Sequence, residues 1–143
     1  MSVISGGTVI PGAQYRAARV AVLAIENLAA GADIAARAQW VAPVEGCVLT
    51  RAGIVPQGAS AGVDDANTAV LALADADGNA IVSKTYNTAA QPPAASAYGS
   101  LGTPDATHAV LTANEVVTLA VTQGATADLP AFLLVLEWTP SQA

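Results

Sequence analysis

The stretch Asp33 to Pro56, DIAARAQWVAPVEGCVLTRAGIVP, decides the fold. Ile34, Ala36, Ala38 and Trp40 fall on one side of an alternating pattern. Ala35, Arg37, Gln39 and Val41 fall on the other, which is the two-residue period of a half-buried strand. Pro43 fixes its own φ and pushes Ala42 toward extended geometry, and Gly46 accepts a positive φ that other residues avoid. Pro43-Val44-Glu45-Gly46 therefore reverses or sharply bends the chain. Cys47 to Val55 resumes as a second strand. Trp40, one of two tryptophans, is expected to make the largest apolar contribution to the inner face. The overlapping LAAGADIAARAQW also admits a helical reading, since alanine is the best helix former and Asp33 and Arg37 are four apart. Gly31 in its middle and the strict alternation ending at Trp40 decide for strand.

Strand-like patterning continues in both directions. Upstream, Tyr15 to Ile25 carries Val20, Val22, Leu23 and Ile25 on both faces, which predicts a central strand, with Arg16 and Arg19 at its start. Asn27 to Gly31 reads as a turn. Downstream, past the polar Gln57–Asn67 loop, Thr68 to Ala74 and Asn79 to Tyr86 form a hairpin. They are joined by Asp75-Ala76-Asp77-Gly78, whose Asp-Gly pair supplies the positive φ of a tight connection. Asn87 to Thr107 is a long, nearly uncharged loop punctuated by Pro92, Pro93, Gly99, Gly102 and Pro104. Ala109 to Thr112, the bend Ala113-Asn114-Glu115, and Val116 to Thr122 follow. Ala131 to Thr139 is apolar on both faces, with Phe132, Leu134, Leu136 and Trp138 on one of them, and reads as a central strand that Pro140 stops.

Roughly seven or eight short strands separated by turn signals, with no convincing helix, predict an all-β chain folded as an antiparallel β-sandwich. The long crossing loops favour jelly-roll connectivity over a plain meander. The length of 143 residues suits one domain, 15–143, preceded by an extended N-terminal arm, 1–14.

Composition narrows the function. Hydrophobic residues make up 53% of the chain but aromatics only 4%, so the core is filled by Val, Leu, Ile and Ala and stabilises weakly per residue buried. Such a core gains from partners. Charged residues are 11% of the chain, well under the roughly 25% of an ordinary soluble domain. Much of the surface is then uncharged, which fits either a low-charge soluble protein or one packed against neighbours. The net charge is −6, and the five basic residues form no stripe that could neutralise phosphates, which argues against nucleic-acid binding. No run approaches the ~20 apolar residues of a membrane span and the N-terminus lacks a secretory pattern, so a soluble, unprocessed chain without membrane contact is expected.

Candidate chemical sites are weak. Cys47 stands alone, which leaves no internal disulfide or cysteine zinc site, and its place in a strand predicts a buried, inert thiol. Asp64 and Asp65 are adjacent on a loop, where neighbouring carboxylates diverge, so a solvated turn is the better reading than a cation site. Asp75, Asp77 and Asn79 imitate the start of a calcium loop, but the glycine falls too early and the distal glutamate is missing. No nucleophile or carboxylate can be assigned to His108 by spacing, which makes it a structural histidine. Neither a catalytic constellation nor a cofactor site emerges, and no enzymatic activity is expected. What remains are contacts with partners. The uncharged arm MSVISGGTVIPGAQ offers Val3, Ile4, Val9 and Ile10, and reads either as a partly disordered terminus or as an arm laid on a partner. The long loop offers Tyr98 and Leu101.

The order of features in Val20 to Thr139 resembles the small jelly-roll decoration (cement) proteins on the heads of tailed bacteriophages. It consists of a strand ending in Trp40-Val-Ala-Pro-Val-Glu-Gly-Cys-Val, the hairpin NTAVLALADADGNAIV, then VLTANEVVTLAVTQGATADLPAFLLVLEW. The match is one of pattern, and where similar sequences often carry Gly-Asp this chain has Asn114-Glu115. The resemblance implies a non-enzymatic virion protein on the outer surface of the capsid. It would act as a homo-oligomer, often a trimer, that clamps adjacent major capsid proteins. A tail- or fibre-associated receptor-binding sandwich would use the same fold, with more aromatics clustered in its loops.

Overall fold

A computed structural model describes residues 17–141. The arm 1–14, with Val3, Ile4, Val9 and Ile10, lies outside them. Among the described residues nine strands occur in the order β1 (Arg19–Ile25), β2 (Ile34–Val41), β3 (Cys47–Pro56), β4 (Ala69–Ala74), β5 (Ala80–Tyr86), β6 (Gly99–Ser100), β7 (Val110–Leu111), β8 (Val116–Gln123) and β9 (Phe132–Pro140). Helix is absent among the described residues. One sheet has the order β1-β9-β3-β6, with β7 also on β3; the other is β2-β8-β4-β5. Every pairing is antiparallel. The chain is all-β and sandwich-like, with buried residues from both sheets forming one core.

The deciding stretch folds as two strands and a turn, and the turn carries the chain between sheets. Its first strand pairs with β8 and its second with β9. Gly46 has φ 74°, and its N–H donates to the Pro43 carbonyl at 2.9 Å. The alternation within β2 is less regular than its sequence. Register shifts against β8 fall between Ile34 and Arg37 and between Ala38 and Trp40. Ile34 is buried and Trp40 half-buried, but Ala36 and Ala38 are exposed. A bulge inserts a residue and re-aims those around it, so period alone mis-assigns the two alanines. Trp40 meets Trp138 of the other sheet, ring centroids 4.9 Å apart and tilted by 52°, which suits the preference of aromatic pairs for inclined packing.

Where alternation is unbroken, burial follows it. In β4, Ala69, Leu71 and Leu73 are buried and their neighbours half-buried; in β9, Phe132, Leu134 and Leu136 are buried. β9 is central, between β1 and β3, as its two apolar faces predict. The same signal misleads for β1, whose one neighbour among the described residues is β9, which leaves it at an edge of the sheet they form. Val20 and Val22 point away from the core and are each 55% exposed. Apolar residues on both faces require only that both be apolar, and the described residues leave one of these uncovered.

Two polar contacts join distant parts of the sandwich. The buried amide of Gln123 donates to the Ala29 and Ala32 carbonyls at 3.1 and 2.7 Å and accepts from the Leu129 N–H at 2.7 Å. It thereby pins the β1–β2 connection to the start of β9, and a buried amide so satisfied costs little. Glu26, just past β1, takes both Arg37 guanidinium nitrogens of β2, at 2.7 and 2.8 Å. Chiefly through this hydrogen-bonded fork, the Glu26 carboxyl is held down from 4.5 to about 2. A folded-state value below the unfolded one stabilises fully above the unfolded value and is lost as pH falls through the folded one. The pair thus contributes above pH 4.5 and fades toward pH 2. Carboxyl NMR titration of Arg37→Ala is expected to move Glu26 up from about 2 toward 4.5, a backbone hydrogen bond still holding it somewhat down; a value that stays near 2 would place the cause elsewhere.

Candidate interaction surface

The two outer faces of the sandwich differ. In the four-stranded sheet, register sets Thr122, Val70 and Thr85 in one row and Ala120, Ala72 and Ser83 in the next. Hydroxyl-bearing Thr122, Thr85 and Ser83 alternate here with Val70 and two alanines, and Val41, 54% exposed, is the large apolar exception at one end of this sheet. In the five-stranded sheet the outward rows are Val22, Val135 and Gly53, then Ala24, Leu133 and Val55. A further row sets Val20, Glu137 and Arg51 side by side. Val110 of β7, 52% exposed, extends the apolar area beside Val48. Both faces arise from the same period of two, and the residue types at the outward positions make the difference.

Tyr98 completes the apolar face. Its ring lies over Gly53 so closely that any Cβ at that position would overlap it. The Arg51 guanidinium sits 4.4 Å from the ring centroid and 3.8 Å from the Glu137 carboxylate. Arg51 is thus held between an aromatic face and a counter-charge, which covers its charge in part and favours cation–π contact. Pro93 packs equally closely on Gly99. The Ser96 N–H donates to the Pro56 carbonyl and the Leu101 N–H to the Ala52 carbonyl, at 2.8 and 2.9 Å. The long loop expected to reach a neighbour is therefore tied to its own sheet, with β6 inside it.

The two loop residues expected to contact a partner separate at this point. Tyr98 is 37% exposed and belongs to the outer face. Leu101 is 1% exposed and lies inside the chain's own core, so a partner could touch it only by opening that core. One residue faces out and the other in, which sequence spacing in an irregular loop does not reveal. Arg51 and Gly53, the platform of Tyr98, carry no local signal either, since their role depends on a residue some 45 positions away.

The polar candidates hold turns. Asp75 Oδ1 accepts from the Asp77 and Asn79 N–H groups at 3.0 and 2.8 Å, and Gly78 has φ 88°, so the hairpin connection forms as expected. Asp64 Oδ1 likewise accepts from the Ala66 and Asn67 N–H groups. His108 does have a carboxylate partner, which its spacing concealed: Nδ1 lies 3.3 Å from Asp75 Oδ2. Burial pushes the Asp75 carboxyl up, but hydrogen bonds from Asn79, Asp77 and His108 outweigh it and leave the carboxyl below its ordinary value. The pair closes the β7 approach onto the β4–β5 turn. Cys47 is buried, and burial, then Glu45 and Glu115, push its thiol up to about 11, which disfavours the nucleophilic thiolate. Among the described residues no group of three or more His, Cys, Asp or Glu is placed to hold a metal ion. The feature on which the arrangement converges is an apolar sheet face edged by Arg51 and its partner Glu137. The chain matches no family model, no curated protein and no solved structure.

Proposed function

We propose that the chain is a structural virion protein, a capsid decoration (cement) protein. It would bind the outer surface of a phage head as a homo-oligomer, three copies being favoured, and stabilise contacts between major capsid proteins. One observation carries the reading: the outer face of the five-stranded sheet sets Val20, Val22, Leu133, Val135 and Tyr98 side by side, with the Arg51–Glu137 pair at one end of that apolar area. A large exposed apolar patch marks a surface meant to be covered. The resemblance in feature order supports the choice of a capsid as what it covers. So does the connectivity, which we infer to be that of a jelly roll. The chain passes from one sheet to the other after β1, β2, β3, β5, β7 and β8, and such repeated crossing distinguishes two interleaved Greek keys from a meander.

Cosedimentation with heads stripped of this protein tests the reading. The wild-type chain is expected to saturate the heads in hundreds of copies. Val135→Glu, which places an unpaired charge in the middle of the apolar face, is expected to weaken occupancy by about tenfold or more. Undiminished binding of a folded Val135→Glu variant would overturn the assignment of the face. A copy number of a handful, located at the tail, would replace the capsid by the tail as the site.

A further inference from the structure

Sheets expose four lateral edges among the described residues, and three of them are guarded. β2 is broken by two register shifts and carries Arg37. β5 carries Lys84 and faces a register shift at Ala74. β6 is two residues long. Each device interrupts the row of free backbone N–H and C=O groups that would otherwise template a further strand. β1 has none of them. Its seven residues RVAVLAI pair with β9 without a break, from Arg19 opposite Trp138 to Ile25 opposite Phe132, and its one charge is at its first position.

We propose that β1 pairs edge to edge with β1 of a second copy of this chain, antiparallel about a two-fold axis, so that the two five-stranded sheets become one. A two-fold contact requires a strand complementary to its own reverse, and β1 meets that requirement. Directly opposite residues of an antiparallel pair share a face, so outward residues must meet outward residues. Centring the axis on Val22 does this: Val22 opposes itself, Val20 opposes Ala24, and Ala21 opposes Leu23. Charge agrees with the antiparallel sense. It sets Arg19 of one copy beside the end that runs into Glu26 of the other, and keeps the two arginines at opposite ends of the ribbon. A parallel pairing would bring them together, and like charges side by side oppose association. Arg19 is available for this, because its own ion pair with Glu45 is long, at 3.7 Å, and exposed.

The contact stands independently of whether the outer face docks on a capsid. It closes at two copies, so it is separate from any three-fold ring and would join rings in pairs. The joined sheet would double the apolar face, adding Val20, Val22 and Ala24 of one copy to those of the other.

Cysteine trapping in the full chain tests the register. Under mild oxidation, Val22→Cys is expected to form a disulfide dimer about tenfold faster than Val44→Cys, because disulfide geometry is exacting and a held pair has a high effective concentration. Val44 lies off the edge and is 72% exposed, so it reports chance collisions; Cys47 is 0% exposed and does not compete. Val20→Cys and Ala24→Cys are each expected to remain uncrosslinked alone and to form a mixed dimer when combined. A Val22→Cys rate equal to that of Val44→Cys overturns the proposal, as does a Val20→Cys chain that crosslinks to itself as fast as to Ala24→Cys. Deleting residues 2–14 is expected to leave the Val22→Cys rate unchanged. A marked rise would make the N-terminal segment the occupant of this edge, and a marked fall would make that segment, rather than the β1 pairing, what holds the copies together; either overturns the proposal.

Discussion

Leu136→Ala is expected to destabilise the protein by about 3–4 kcal/mol, within the range found for buried leucines. Leu136 lies in the central strand of the five-stranded sheet, pairs with Ala21 on one side and Ala52 on the other, and is 0% exposed. Its cross-strand neighbours are alanines, which are too small to close over the cavity left by three lost carbons. Relaxation is therefore limited, and the loss includes both transfer and cavity terms. Against a total stability of about 5–15 kcal/mol this is a large share, and for a chain of this size it lowers Tm by roughly 10–15 °C. Leu133, three residues earlier and on the outer face, is only half-buried, and its replacement by alanine is expected to cost about 1 kcal/mol or less. Urea unfolding of the two variants checks the pair. A larger loss for Leu133→Ala would mean that the inward and outward faces of β9 have been exchanged, and equal losses that both leucines are buried alike.

Gly62→Ala is expected to cost about 3 kcal/mol, the sum of overpacking and an unfavourable backbone conformation. Gly62 has φ +66°, and an added Cβ would overlap the carbonyl oxygen of Thr126. That atom is backbone, and it belongs to a loop held by the Ala61–Asp128 bridge and by the Thr126 hydroxyl donating to the Gly62 carbonyl at 2.9 Å. Neither side can yield without breaking a hydrogen bond. Gly78, in the β4–β5 turn, supplies the control: its φ is +88°, but nothing lies within 4 Å of the missing Cβ. Gly78→Ala meets the conformational term alone, about 1 kcal/mol. Thermal melts of both variants would show the difference, and similar losses would put Gly62 in open space.

Local rules read those two glycines alike, since both sit in polar, aspartate-containing loops. What separates them is a carbonyl more than sixty residues away, and the candidate surface depends on the same kind of information. Tyr98 was legible as an apolar handle in a long loop, and so was Leu101. Their opposite fates follow from the two-residue β6, which pairs with Gly53 and Ile54 of β3 and turns one side chain outward and the other into the core. The partner of His108, Asp75, was visible as a turn residue and invisible as a partner. The edge position of β1 among the described residues is hidden in its pattern, because apolar residues on both faces describe a central strand and an uncovered apolar face equally well.

The all-β class, the central place of β9, the Asp75–Gly78 hairpin, the bend at Pro43–Gly46 and the burial of Cys47 all follow from residue order alone. Each rests on local physics: a period of two, the fixed φ of proline, the positive φ open to glycine. Tertiary structure alone decided which strands are edges, which outward face is apolar, where β2 bulges, and that the long loop closes on its own sheet. Those outcomes depend on backbone hydrogen bonds and close approaches between residues far apart in the chain. Every extended segment carries the same donors and acceptors, so composition and spacing do not say which of them will pair.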